Sequence, residues 1–319
     1  LRRGCRAGRY GGHRFGAVGR SGSYGCTDVE TCRIALEQVA NGAIWRRDGA
    51  RAQPCGRLHR LSRGRPIRAS APGSIMITGE HAVVYGHRAI VAAVNQRVEV
   101  TLTPRADQRL SVRSQIAPPL ECNLADPPQD GPYRFVLAAL AIYRPQLENG
   151  FDMEISSDID PTLGLGSSAA VTGACLGAFH RFAMQTQGKP TEDPPRPKLH
   201  LEALSVVRTI QGRGSGADLA ASLYGGLIAY KAPENSNAAQ VSHLHAPDAA
   251  MSLKNCGYKT PTGEVLRLIA ERRVGREAEF DALYARMGQS ANAAIAAAEA
   301  EDWAAFFDAL KGYQALMAA

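Results

Sequence analysis

The stretch Pro161 to Ala170, PTLGLGSSAA, carries the residue types that a phosphate group needs. Gly164 and Gly166 remove side chains where the backbone must curl, Leu165 lies between them, and Ser167 and Ser168 bring hydroxyls. Ala169 then opens a segment that can run as a helix to Phe182. Unpaired amides at the start of such a helix, with the favourable end of its dipole, attract an anion. Glycine and serine turns also precede helices that bind nothing, so this stretch alone leaves both readings open. It is not a Walker A loop, because no GK[ST] follows the glycines, and it lacks the context of a dinucleotide-binding GxGxxG.

A second glycine-bearing run, GRGSGAD at Gly212 to Asp218, ends in a carboxylate. Asp218 could accept a proton or organise a cation, and a helix N-cap explains it equally well. Glu80 and His81 follow a short apolar run through Gly79, where a polar pair either lines a pocket or stabilises the end of a strand. Lys259, Thr260 and Thr262 form a further polar cluster, and His180 reads as a helix-surface residue rather than a metal ligand. The seven cysteines are scattered without metal-ligand spacing, which predicts reduced thiols and a cytoplasmic setting.

The elements that must hold these residues are legible from periodicity. Organised sequence begins near Ile67. Ser74 to Thr78 reads as a strand, Ala89 to Val94 is an apolar run, and Val98, Val100 and Leu102 alternate with polar residues as in a half-exposed strand. A helix is predicted from Tyr133 to Tyr143, and a strand through Met153 to Ile159 after the Asn149-Gly150 turn. Val171, Cys175, Ala178, Phe179 and Phe182 give the helix behind the first glycine loop one apolar face. Leu199 to Ile210 and Leu219 to Leu223 read as helices and Leu227 to Tyr230 as a strand. Helices follow at Glu264 to Arg273, Glu277 to Met287 and Ser290 to Leu310.

The net charge of +7 is unevenly placed. Residues 1 to 68 hold 15 arginines against 4 acidic residues, and the remainder holds 22 basic against 26 acidic residues. The body is therefore mildly acidic, and only the leader argues for a phosphate backbone as partner. Residues 1–66 read as a basic, low-complexity extension, disordered or non-native, with a modest helix over 27–46. No nucleic-acid partner is expected. No run approaches the roughly 18 apolar residues of a membrane helix, so no membrane partner is expected either.

Three segments together, APGSIMITGEHAVVYG at Ala71 to Gly86, PTLGLGSSAA, and GRGSGADLAASLYGG at Gly212 to Gly226, resemble the GHMP small-molecule kinase family. GEHAVVYG looks especially like its mevalonate kinase branch. The resemblance implies an α/β (α+β) fold, with a ribosomal-protein-S5-like N-terminal kinase domain over 67–235 and a ferredoxin-like C-terminal domain over 236–319 that is expected to be truncated. It implies transfer of the γ-phosphoryl group of ATP to the alcohol of a hydroxy acid such as mevalonate, with Mg2+ as cofactor, and allows a homodimer. Phosphomevalonate kinase, or a catalytically weak ligand-binding or regulatory protein, are the alternatives. Residue by residue, it implies that Gly164, Leu165, Gly166, Ser167, Ser168 and Ala169 cradle the phosphates and that Ser168 also contacts Mg2+. Asp218 would orient or deprotonate the acceptor, with Glu80 and His81 in the acceptor pocket.

This chain departs from the family pattern in three places. Ser74 stands where mevalonate kinases usually carry Lys after APG. Val207 stands where a magnesium-binding Glu is usual, with Glu202 nearby on the same predicted helix. A second glycine-rich segment, usual near the C-terminus, does not occur before Ala319. A phosphorylated acceptor would need further basic residues, for which Arg88, Arg97 and Arg208 are candidates.

Overall fold

The structure, a computed structural model, describes residues 31–35, 44–47, 65–190, 192–234, 238–248, 250–254 and 262–318. Lys259 and Thr260 lie outside the described residues, as does most of the arginine-rich leader. Within the leader the expected helix over 27–46 is not what forms. Two short strands, β1 (Thr31–Ala35) and β2 (Ile44–Arg47), stand there instead.

An eight-stranded sheet is organised around β3 (Ile67–Thr78) and β4 (Ala89–Pro104). β5 (Arg109–Ser114), β6 (Leu120–Asn123), β7 (Phe151–Ser157), β8 (Leu227–Lys231) and β9 (Gln240–Leu244) complete it with β2. β3 pairs with β4 along its length, while the other edge of β4 is shared, Ala89 to Ala92 pairing with β8 and Val98 to Pro104 with β7. β7 and β5 run parallel, and the remaining pairs of this sheet are antiparallel. A separate two-stranded sheet joins β1 to β10 (Ala250–Lys254).

β4 shows how the hydrophobic pattern dictates layering. Its first half, Ala89 to Val94, is buried without interruption. Ala89 and Val91 meet the apolar side of α4 (Ala217–Tyr224), whereas Ile90 and Ala92 meet α6 (Glu277–Glu299) and α7 (Trp303–Met317). Side chains alternate across a strand, so a continuous apolar run requires cover on both faces. In the second half burial alternates, and Val98, Val100 and Leu102 are buried under α1 (Arg134–Tyr143), α2 (Ser167–Thr186) and α3 (Arg196–Gln211). Phe151, Phe179 and Phe182 fill that core, and burying each contributes about 1.5–3 kcal/mol.

The two expected C-terminal helices over 277–310 are divided differently. α6 runs unbroken to Glu299, and the break falls between Ala300 and Asp302, whose carboxylate accepts from the Ala305 amide at 3.0 Å. Gly288 sits inside α6 because His87 presses against it, and a Cβ there would lie 2.2 Å from His87 Nδ1. α5 (Thr262–Arg273) precedes this pair. Among the described residues no helix is long and apolar enough to cross a membrane.

Candidate active site

β3 brings the two glycine runs together. Its register slips between Pro72 and Ser74, placing a bulge at Gly73. The Leu165 carbonyl approaches so closely there that a Cβ on Gly73 would lie 2.4 Å from it. The next residue, Ser74, is buried and donates its amide to Leu165 O at 3.1 Å. Its hydroxyl donates to Asp218 Oδ1 at 3.2 Å. One serine thus touches both sequence-predicted loops, although they lie far apart in the chain.

The first loop ends at Gly166, which takes a left-handed φ of 67° and starts α2 without any side-chain cap. The amides of the first turn, with Ser167 and Ser168, are therefore left without a capping side chain. A cavity of about 310 Å³ adjoins them, walled by Val98, Tyr133, Phe135, Ile155, Ile159 and Val171 and edged by Ser167 and Ser168. An uncapped helix start beside an apolar pocket suits a ligand with an anionic end and a flat apolar end. Ala169 is buried and continues the helix.

The second loop ends similarly at Gly216, φ 85°, the N-cap of α4. His200 Nε2 meets the Gly216 carbonyl at 2.9 Å, and Tyr230 Oη donates to the Ser215 carbonyl at 2.5 Å. Ser222, one turn beyond Asp218, donates to Pro72 O at 2.8 Å and ties α4 to β3. Asp218 is reachable by solvent, but protein crowds it on most sides. Desolvation raises its pKa above the ordinary carboxylate value, against the lowering effect of the Ser74 hydroxyl.

Glu80 and His81 lie in the turn after β3. Glu80 is half-buried, and its pKa is raised first by desolvation and further by the negative charge of Asp218, while its own backbone amide acts the other way. The two carboxylates therefore belong to one electrostatic site. His81 holds a left-handed φ of 61°, rare for a residue with a Cβ, and burial lowers its pKa so that the neutral ring is favoured. This turn is fixed from the far end of the chain. Tyr313 Oη on α7 donates to Glu80 O at 2.7 Å, and Tyr85 stacks on Tyr284 of α6 at 4.4 Å.

Several residues singled out in the sequence do not join this cluster. Glu202 accepts Tyr143 Oη at 2.6 Å and lies 3.8 Å from Lys198 Nζ. Val207 is buried beneath the second loop, 3.2 Å from where a Cβ on Gly214 would lie. Arg97 is engaged by Ser70, Arg208 reaches the Gly214 carbonyl at 3.4 Å, and His180 lies near Tyr143 Oη. Among the described residues no group of three or more His, Cys, Asp or Glu is gathered as a metal site. A magnesium ion would therefore depend on Ser168, water and the phosphates it accompanies, in keeping with the cation's reluctance to dehydrate. His200, Tyr230, Ser222 and Tyr313 carried no sequence signal: Ser222 and Tyr313 act across 150 and 233 positions of chain, and His200 and Tyr230 reach their carbonyls only once α3, α4 and β8 have packed.

Residues 134–226 match the family model of the GHMP kinases N terminal domain. Curated proteins named mevalonate kinase are similar to this chain over part of its length. The mevalonate kinase of Methanothermobacter thermautotrophicus is 30% identical over 204 residues, covering 64% of this chain and 61% of that one. The chain spans about half to three-fifths of the length of the curated relatives it matches. Among solved structures, a Lin0012 protein from Listeria innocua superposes with a TM-score of 0.66 at 22% identity, covering 79% of this chain and 78% of that one. Streptococcus pneumoniae phosphomevalonate kinase, in complex with phosphomevalonate and AMPPNP, gives 0.61 at 13% identity, covering 78% and 79%. These likenesses show a shared fold.

Proposed function

We propose that this protein is an ATP-dependent kinase that phosphorylates the hydroxyl of mevalonate. The observation that carries the reading is Ser74, whose amide holds the first glycine loop and whose hydroxyl holds Asp218. Residues 67–235 would supply the nucleotide-binding part and residues 236–319 would belong to the second domain. A cytoplasmic setting and a homodimer are part of the same proposal.

The nucleotide phosphates would lie on the start of α2, received by the backbone of Gly164 to Ala169, with the base in the adjoining apolar cavity. Mg2+, held by Ser168 and the phosphates, would supply positive charge to the transferred oxygens. Asp218 would accept the hydrogen bond of the acceptor alcohol and hold its oxygen in line with the γ-phosphorus. As the alcohol oxygen bonds to phosphorus, the bond from phosphorus to the bridging oxygen breaks, ADP leaves, and Asp218 takes the alcohol proton. A carboxylate with a raised pKa is a better base near neutral pH than an ordinary one. Glu80 and His81 would position the rest of the hydroxy acid.

Mevalonate is favoured over phosphomevalonate because Glu80 and Asp218 already repel each other. A phosphate on the acceptor adds a charge of roughly −1.5 to −2 at neutral pH, which such a pair opposes. Incubation with ATP, Mg2+ and either acceptor, followed by ADP release and phosphorus NMR of the product, tests this. Turnover with mevalonate alone supports the assignment. Turnover with phosphomevalonate alone reassigns the acceptor, and nucleotide binding without turnover supports a regulatory descendant.

A further inference from the structure

We infer that His200 and Tyr230 are positioning residues, which set the aim of Asp218 by gripping the two carbonyls that immediately precede its helix. The inference rests on the role proposed for Asp218. It deepens that reading by naming what holds the carboxylate in place.

The grip is built from buried parts. His200 on α3 and Tyr230 on β8 are 1% and 0% exposed, and their rings lie 5.6 Å apart. They come from different elements yet converge on consecutive peptide groups, Tyr230 Oη on the Ser215 carbonyl and His200 Nε2 on the Gly216 carbonyl. A Cβ on Gly216 would lie 2.9 Å from Tyr230 Oη and 3.0 Å from His200 Nε2, so the two side chains close on the loop as tightly as a glycine permits. With both peptide planes fixed, the direction of the first turn of α4 is fixed too. Asp218 is the second residue of that turn.

Donation to a carbonyl requires the hydrogen of the neutral imidazole on Nε2, which leaves Nδ1 as an acceptor. Nδ1 is buried and has no hydrogen-bond partner. A side chain that served packing alone would not carry this unsatisfied atom, because an apolar residue of similar volume avoids the penalty. The imidazole is explained by the bond its other nitrogen makes. On the far side, Ser222 ties α4 to Pro72 O and Ser74 meets the carboxylate itself, so Asp218 is held from its helix start, its helix end and its own oxygen.

The test compares His200→Leu and Tyr230→Phe, which lose the donors, with His200→Gln, whose amide can still donate. Carbon-13 NMR of labelled aspartate in the full chain, with the Asp218 resonance assigned through Asp218→Asn, follows the titration of that carboxyl among its neighbours Ser74 and Glu80. In folded His200→Leu and Tyr230→Phe, the midpoint should move down toward the ordinary Asp value as the carboxyl swings from the crowded cleft into water. His200→Gln should keep the parent midpoint. In turnover, the first two should lower kcat roughly tenfold or more, with KM for ATP within about twofold, because the change affects orientation rather than nucleotide binding. An unchanged Asp218 midpoint in folded His200→Leu and Tyr230→Phe overturns the inference, whatever the activity. Retention of full turnover by Asp218→Asn would instead remove the underlying reading, so the two failures are told apart.

Discussion

The two glycine loops start their helices in the same way and are held in opposite ways. Gly166 and Gly216 are both left-handed N-caps without a capping side chain. Around Gly164 in the first loop there is open space, and an apolar cavity lies beside the helix start. The second loop is gripped from below by His200 and Tyr230 and ends in a carboxylate. A loop that must receive a mobile ligand keeps its backbone groups available, whereas one that must aim a single side chain has them occupied. Residue composition makes the loops look alike, and the surrounding side chains set them apart.

The largest expected effect comes from removing what the gripped loop presents. Asp218→Asn should lower kcat by about 10²–10⁴-fold while leaving ATP affinity close to the parent, measured by ADP release and nucleotide titration. Its effect on stability should run the other way. Asp218 has a raised pKa in the folded protein, so its contribution is fully present below the unfolded value and lost as pH rises through the folded one. That sign predicts that at pH 7 Asp218→Asn melts at a higher temperature than the parent. In activity, the acid limb of kcat/KM should lie above the ordinary carboxylate range, with turnover rising as pH passes through it. A melting point that falls, or an acid limb near 4, would contradict the crowding described for Asp218.

Next in size are the glycines themselves. Gly216→Ala meets both a left-handed backbone and two close side chains, and should cost about 2–4 kcal/mol in denaturant unfolding. Gly166→Ala should be comparably costly, because its Cβ would lie 2.1 Å from Ser74 Oγ. Gly164→Ala bears only the backbone term, about 1 kcal/mol, since nothing lies within 4 Å of its Cβ. Equal costs at positions 164 and 216 would erase the distinction between open and gripped loops.

A modest effect is expected at the link between them. Ser74→Ala keeps the backbone bond to Leu165 and removes only the hydroxyl donated to Asp218, a loss of about 1–2 kcal/mol, or roughly tenfold in kcat. Binding of ATP should stay within about twofold by calorimetry. A large loss of nucleotide affinity would mean that the hydroxyl supports the first loop as well.

Much of this was readable beforehand because it is local. The alternation of Val98, Val100 and Leu102, the unbroken apolar run before it, and the glycines ahead of two helices follow from nearest-neighbour patterns. The expected strands over 74–78 and 98–102 were correct in kind but short, and the apolar run over 89–94 is the first part of β4, since pairing extends β3 and β4 beyond their apolar signal. The helix expected to stop at Met287 continues through Gly288, which is a contact surface for His87, information held about 200 residues away. A similar separation hid Tyr313 on Glu80, whereas Tyr230 and Ser215, 15 residues apart, meet only because α4 folds between them. Glu202 looked available because sequence shows a carboxylate without showing Tyr143 beside it.

The bond from Tyr313 to the carbonyl of Glu80 spans 233 positions of chain, and the stacked pair Tyr85 and Tyr284 lies beside it. The turn of Glu80 and His81 is thus clasped by helices synthesised long after it. A ribosome-bound chain could form the first glycine loop and its cavity long before that turn had its clasp, so competence to hold a nucleotide should precede competence to hold an acceptor during synthesis.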